Sequence, residues 1–135
     1  NTVTSYKDLN DAKFVVVSKP GTTGEEAVQR LISNASYETA DTEIEGAMRV
    51  LKGTADAFVY DLPFNAVFIA MHPSDQLIFL DKPFTEEPIA WAIRKNDPDF
   101  LKFLNGFLED IKKDGRFDKI YNDWFISTDW FKYAR

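Results

Sequence analysis

Phe14-Val15-Val16-Val17-Ser18-Lys19-Pro20-Gly21-Thr22-Thr23-Gly24-Glu25-Glu26 is the stretch that decides the fold. The apolar, β-branched run Phe14 to Val17 reads as a short buried strand. Ser18 to Gly24 gathers the residues of a loop. Thr22 and Thr23 each stand three residues before a glutamate, the spacing of a capping box, so a helix is expected from Glu25 to Ile32. Glu25 and Glu26 suit the positive end of that helix dipole.

Working outward, the same alternation continues. Tyr37 to Thr39 reads as a short strand. Asp41-Thr42-Glu43 opens a second helix to about Lys52, with Ile44, Ala47, Met48 and Leu51 on one face and Gly53 as its stop. Ala57 to Tyr60 is another buried strand, followed by a helix from about Pro63 to Met71. Further strands are expected at Gln76 to Leu80 and Ile89 to Arg94. Asp97 as N-cap and Pro98 as first helical residue open a long helix to about Lys113. Gly115 ends it, and a last helix covers about Phe117 to Phe125. Strand–helix alternation at this spacing predicts an α/β fold, with a mainly parallel sheet flanked by helices and additional C-terminal helices.

Composition narrows the function. The chain has 135 residues, 44% hydrophobic and 28% charged, with twelve Phe among its aromatics. Its net charge is −6, which disfavours a nucleic-acid partner. The absence of cysteine excludes disulfides, Cys-ligated zinc and thiol nucleophiles within this sequence. The single His72 excludes a site built on two histidines and reads as a surface cap at a helix end. No metal or cofactor is expected.

In parallel sheets ligands bind beyond the carboxyl ends of the strands. Two loops lie there. Gly21 to Gly24 matches neither nucleotide-loop pattern, and its glutamates would repel a diphosphate. A single carboxylate is a better guest for the N–H groups and hydroxyls of Thr22 and Thr23, although both threonines also serve as plain helix caps. Asp61 ends an apolar strand, where a buried carboxylate is costly unless paired. A ligand ammonium would pair with it, and an ordinary N-cap role fits the Asp–x–Pro spacing equally. Together the loops offer an anion holder and a cation holder, the pattern of a zwitterionic α-amino acid.

Three stretches then resemble the bacterial extracellular solute-binding proteins of family 3, the polar amino-acid-binding proteins of ABC importers. The first joins Asp8-Leu9, Phe14 to Val17 and Gly21-Thr22-Thr23. The second runs from Glu45-Gly46-Ala47-Met48 through Leu51-Lys52-Gly53 and Asp56-Ala57 to Asp61. The third runs from Ile89-Ala90 through Ala92-Ile93-Arg94-Lys95 and Asp97 to Leu101, Lys113-Asp114-Gly115, Ile120-Tyr121 and Trp124-Phe125. The resemblance implies a periplasmic-binding-protein-like fold of two lobes. Residues 1–86 would be the second lobe, and residues 87–135 a hinge-crossing strand and helices that complete a first lobe whose N-terminal bulk has no counterpart here. It implies that Gly21, Thr22 and Thr23 contact the ligand carboxylate and that Asp61 binds the ammonium. It places Lys19 and Tyr60 near the pocket.

The implied protein is periplasmic or extracellular, bound to a membrane through its transporter permease, and is not an enzyme. A sensor domain of a receptor or histidine kinase, or a cyclohexadienyl dehydratase-like enzyme with Asp61 as its acid, are the alternatives. The family's first-lobe arginine and aromatic platform have no counterpart, and neither Arg49 nor Arg94 fits that motif. The usual glycine after Asp-Leu is replaced by Asn10-Asp11-Ala12-Lys13, and Leu62-Pro63-Phe64 is bulkier than usual.

The long C-terminal helix points the same way independently. Phe100, Leu101, Phe103, Leu104, Phe107, Leu108 and Ile111 form an apolar stripe too wide for one contact. It predicts a partner, either the missing lobe or a second copy of the chain. Trp91 alternates with Ile89 and Ile93 and reads as packing. The tail Ser127 to Arg135, with Trp130 and Phe131, would pack on a hinge or a partner.

Overall fold

A computed structural model describes residues 3–73, 76–80, 82–127 and 129. The chain divides into two compact units, Asn1–Glu86 and Glu87–Arg135.

The first unit is built on a three-stranded parallel sheet. β1 (Val15–Ser18) lies in the middle, between β2 (Ser36–Thr39) and β3 (Ala57–Val59). Val16 pairs with Tyr37 on one side and with Ala57 on the other. A central parallel strand is covered on both faces, which is why its residues are an unbroken apolar run. Val16 faces Leu9, Val28, Ile32 and Val59, whereas Val17 faces Ala40 and Ala55, with Val15, Val50 and Phe58 beside them. Val28 comes from α1 (Thr23–Leu31), and Val50 from α2 (Glu43–Leu51). Leu9 ends a short 3₁₀ turn, Tyr6–Leu9, closed by a Ser5–Asp8 capping box. Asp56 pins the β1–β3 register: its carboxylate accepts the Val15 N–H at 2.7 Å and its own N–H reaches Val15 O at 2.8 Å.

Helix α3 (Leu62–Met71) follows β3 and is apolar on nearly every side. It ends at His72, whose ring stacks on Phe68 at 4.2 Å and whose Nδ1 lies 2.9 Å from Phe68 O. This is the capping role read from the sequence.

In the second unit, α4 (Pro98–Lys113) begins at the expected cap, with the Asp97 carboxylate accepting the Phe100 N–H at 3.0 Å. Gly115, at φ 84°, turns the chain into α5 (Arg116–Tyr121). Asn122–Ile126 then widens into a π turn, so the expected last helix to Phe125 does not keep α geometry throughout.

Other expectations need correction. Neither Gln76 to Leu80 nor Ile89 to Arg94 is a strand. Both have strand-forming residues, but a strand needs a neighbour to take its N–H and C=O row, and no described segment does. Ile89 is 94% exposed and Trp91 is also exposed, its ring stacked on Phe107 at 6.4 Å, so the expected packed face of Ile89, Trp91 and Ile93 is not formed. On α2 the buried positions belong to Gly46 and Ala47, while Ile44 stays 60% exposed. Gly46 decides this, because a Cβ there would stand 2.2 Å from a Phe58 ring carbon. The helix therefore turns its glycine, not its isoleucine, to the sheet. The tail beyond Ser127, apart from Asp129, lies outside the described residues.

Candidate functional site

All six residues singled out in the sequence stand at the carboxyl edge of the sheet. Ser18 and Val59 are register partners at the ends of β1 and β3. Lys19 and Tyr60 are therefore the next residues on adjacent parallel strands, and Asp61 follows at once. Gly24 closes the gap from the other side. A Cβ on it would lie 3.0 Å from Val59 O, so glycine lets the first turn of α1 rest against the end of β3 without displacing that backbone.

The loop after β1 has a fixed internal geometry. Gly21 adopts φ 72°, a left-handed conformation that favours glycine. The Thr22 hydroxyl donates to Lys19 O at 2.7 Å and accepts the Glu25 N–H at 3.4 Å. Thr22 is thus the N-cap of α1, which begins at Thr23, two residues before the expected start at Glu25. Glu25 does not return to the Thr22 N–H as a capping box would; its Oε2 accepts the Gly21 N–H at 2.8 Å. Among the described residues, nothing uses the N–H groups of Thr22 or Thr23. Two donors at a helix N-terminus are open there, where the dipole favours an anion.

Asp61 departs from its expected surroundings. The sequence reading has it buried; the structure leaves it exposed, because β3 ends at Val59 and Asp61 lies past the sheet. It occupies the N-cap position of α3, yet its carboxylate makes no cap bond, and the second helical residue, Pro63, has no N–H to offer. Among the described residues the Asp61 carboxylate has no hydrogen-bond or ion-pair partner. Asn65 satisfies the backbone around it, donating from Nδ2 to Tyr60 O at 3.0 Å and from its N–H to Asp61 O at 3.1 Å. The Tyr60 ring is held between Phe58 at 5.6 Å and Phe64 at 5.4 Å, so the bulky Leu62-Pro63-Phe64 segment supports the aromatic side of this edge.

Lys19 is not free. Its Nζ donates to Glu43 Oε2 at 2.9 Å. That bond raises the Lys19 pKa, with the charge of Glu43 and the nearby Tyr60 adding to it. The Lys19 ammonium correspondingly lowers the Glu43 carboxyl below its ordinary range.

Sequence reasoning missed four participants: Ser18, Glu25 as a brace, Tyr37 and Glu43. Tyr37 donates to Glu25 Oε1 at 3.1 Å and lies 2.9 Å from Ser18 Oγ. Burial raises the Tyr37 pKa, which keeps its hydroxyl protonated and able to donate. Only strand pairing reveals this contact. The sole signal in the sequence was a tyrosine in an otherwise polar edge strand. Among the described residues, no group of three or more His, Cys, Asp or Glu could hold a metal ion, and no helix is long and apolar enough to cross a membrane.

The profile of the bacterial extracellular solute-binding proteins, family 3, matches residues 4–127. The chain belongs to this family. Among curated relatives, an ABC transporter glutamine-binding protein of Bacillus subtilis (strain 168) is 29% identical over 90% of the chain and 44% of its own length. A probable histidine-binding protein of Neisseria gonorrhoeae is 32% identical over 91% of the chain and 47% of its own length. A solved putative binding component of an ABC transporter from Wolinella succinogenes DSM 1740, complexed with lysine, is 47% identical with a TM-score of 0.85. That match covers 98% of this chain and 57% of the other. The chain thus spans about half the length of the proteins it matches. The α/β architecture with a small parallel sheet is that of the solved family structures.

Proposed function

We propose that this chain is the ligand-binding part of an amino-acid-binding protein that serves an ABC importer, in the periplasm or outside the cell. Residues 1–86 act as the second lobe of a two-lobed fold, and residues 87–135 as the return segment that completes the first. The permease is the macromolecular partner.

One observation carries the reading: the charge balance at the sheet edge. Lys19 is offset by Glu43, and Glu25 is engaged by Gly21 and Tyr37. Of the six candidate residues, Asp61 has its carboxylate, and Thr22 and Thr23 their N–H donors, left without a partner among the described residues. An α-amino acid has the complementary pair, an ammonium for Asp61 and a carboxylate for the donors. Gly21 contributes by its turn, and Lys19 and Tyr60 stand beside the ammonium site, where they select the side chain. A polar side chain is expected, and lysine is the first to test, given the lysine complex of the Wolinella relative. Capture between lobes would exclude water and strengthen both charge contacts.

The test is calorimetry with L-lysine, L-arginine, L-histidine and L-glutamine on the complete gene product. Replacing Asp61 by Ala should weaken binding by roughly 2–5 kcal/mol, as for truncation of one partner of a buried charge pair. An Asp61→Ala protein that binds as tightly as the parent overturns the assignment.

A further inference from the structure

The Gly-Thr-Thr loop is held from outside itself. Both oxygens of the Glu25 carboxylate are engaged, Oε2 by the Gly21 N–H at 2.8 Å and Oε1 by the Tyr37 hydroxyl at 3.1 Å. The Tyr37 hydroxyl has one proton. With that proton on Glu25, it accepts from Ser18 Oγ, 2.9 Å away. Ser18 is wholly buried at the end of β1. Gly21 is thereby tied through α1 and β2 to the central strand. The glycine itself is exposed, and a Cβ on it would touch nothing within 4 Å, so packing does not hold the loop there.

We infer that Glu25 is a positioning residue for ligand recognition: it fixes the backbone at Gly21, and with it the direction of the Thr22 and Thr23 N–H groups, while Tyr37 fixes Glu25. The inference rests on the reading of this loop as the carboxylate holder. It also assigns Glu25 a second effect. By taking the Gly21 N–H, the carboxylate leaves the loop with donors for one carboxylate and places a negative charge next to them. Groups with two negative charges are therefore disfavoured.

The role belongs to acceptor geometry, and glutamine separates geometry from charge. In Glu25→Gln the side-chain oxygen accepts the Gly21 N–H and the NH₂ donates to Tyr37, whose hydroxyl reverses and donates to Ser18. No bond of the relay is lost. Alanine loses both bonds, and aspartate is one carbon too short to span them.

The experiment measures L-lysine affinity by calorimetry and Gly21 amide exchange by NMR, both on the complete gene product, with thermal unfolding of each variant alongside. Glu25→Ala is expected to weaken lysine binding about tenfold and to speed Gly21 exchange at least as much, the scale of losing a partner for a hydrogen-bonding group. Glu25→Gln should stay within about threefold of the parent in both readouts, and Tyr37→Phe should fall about threefold to fivefold in affinity. Wild-type affinity and Gly21 exchange in Glu25→Ala overturn the inference, as does a Glu25→Gln loss equal to that of alanine. If the alanine protein does not fold, Tyr37→Phe decides, and undiminished affinity with unchanged Gly21 exchange overturns the inference. Where Asp61→Ala loses affinity and Glu25→Ala does not, the inference fails while the amino-acid site stands; where neither loses affinity, the site itself fails.

Discussion

In the first unit Val16 and Val17 of β1 are wholly covered, while in the second Phe103 of α4 is 66% exposed, with Phe100, Leu101 and Phe107 exposed beside it. Both regions are rich in large apolar residues. The first has a sheet, whose two faces each take a helix. The second has an amphipathic helix and none of the described strands. Caps rather than burial define α4 at its ends: Asp97 and Pro98 at the start, Asp114 and left-handed Gly115 at the finish. One unit therefore draws its order from a core, the other largely from local helix signals.

Paired substitutions test that contrast on the 135-residue chain. Ile32, 1% exposed and packed against Val16, should cost about 2–5 kcal/mol when replaced by Ala. Phe103→Ala should shift stability by no more than about 0.5 kcal/mol, the range of ordinary surface changes. Urea unfolding checks both, and equal losses at the two positions would erase the distinction. Gly46→Ala sharpens the account of the first unit. Its Cβ would meet the Phe58 ring, so overpacking of about 1–3 kcal/mol is expected in the same assay.

The smallest effect concerns the Lys19–Glu43 pair, about a third exposed on each side chain and so weakened by salt. The Glu43 pKa is lowered, so its contribution is present above the ordinary glutamate range and lost as pH falls through the lowered value. The Lys19 pKa is raised, so its contribution is present at neutral pH and lost as pH rises through the raised value. Glu43→Gln should flatten both arms of the stability–pH curve and lower the Lys19 titration seen by NMR. A Lys19 titration unmoved by Glu43→Gln would show that the pair does not form in solution.

Local chemistry made much of this legible beforehand. The β-branched run marked β1, Gly53 and Gly115 marked helix ends, and Asp97-Pro98 marked the start of α4, because each signal acts within a few residues of its effect. Thr22, Thr23 and Asp61 stand out as candidates by their place after strands, and Gly21, Lys19 and Tyr60 through the family resemblance. What escaped depends on partners distant in sequence. Tyr37 reaches Glu25 and Ser18 only once β2 lies beside β1, and Gly46 outranks Ile44 only once Phe58 is beneath it. The expected strands near Leu77 and Trp91 failed for the complementary reason: propensity supplies extended residues but not the neighbour that completes a ladder.

The central position of β1 also has a consequence in time. The bond from the Val15 N–H to the Asp56 carboxylate closes a separation of 41 residues. At about 5–20 residues per second, Val15 to Val17 emerge from the ribosome about 2–8 s before β3 does. Throughout that interval the most apolar strand in the fold has one flank without a mate, so a nascent chain with β1 emerged and β3 still to emerge would be the form most dependent on a chaperone.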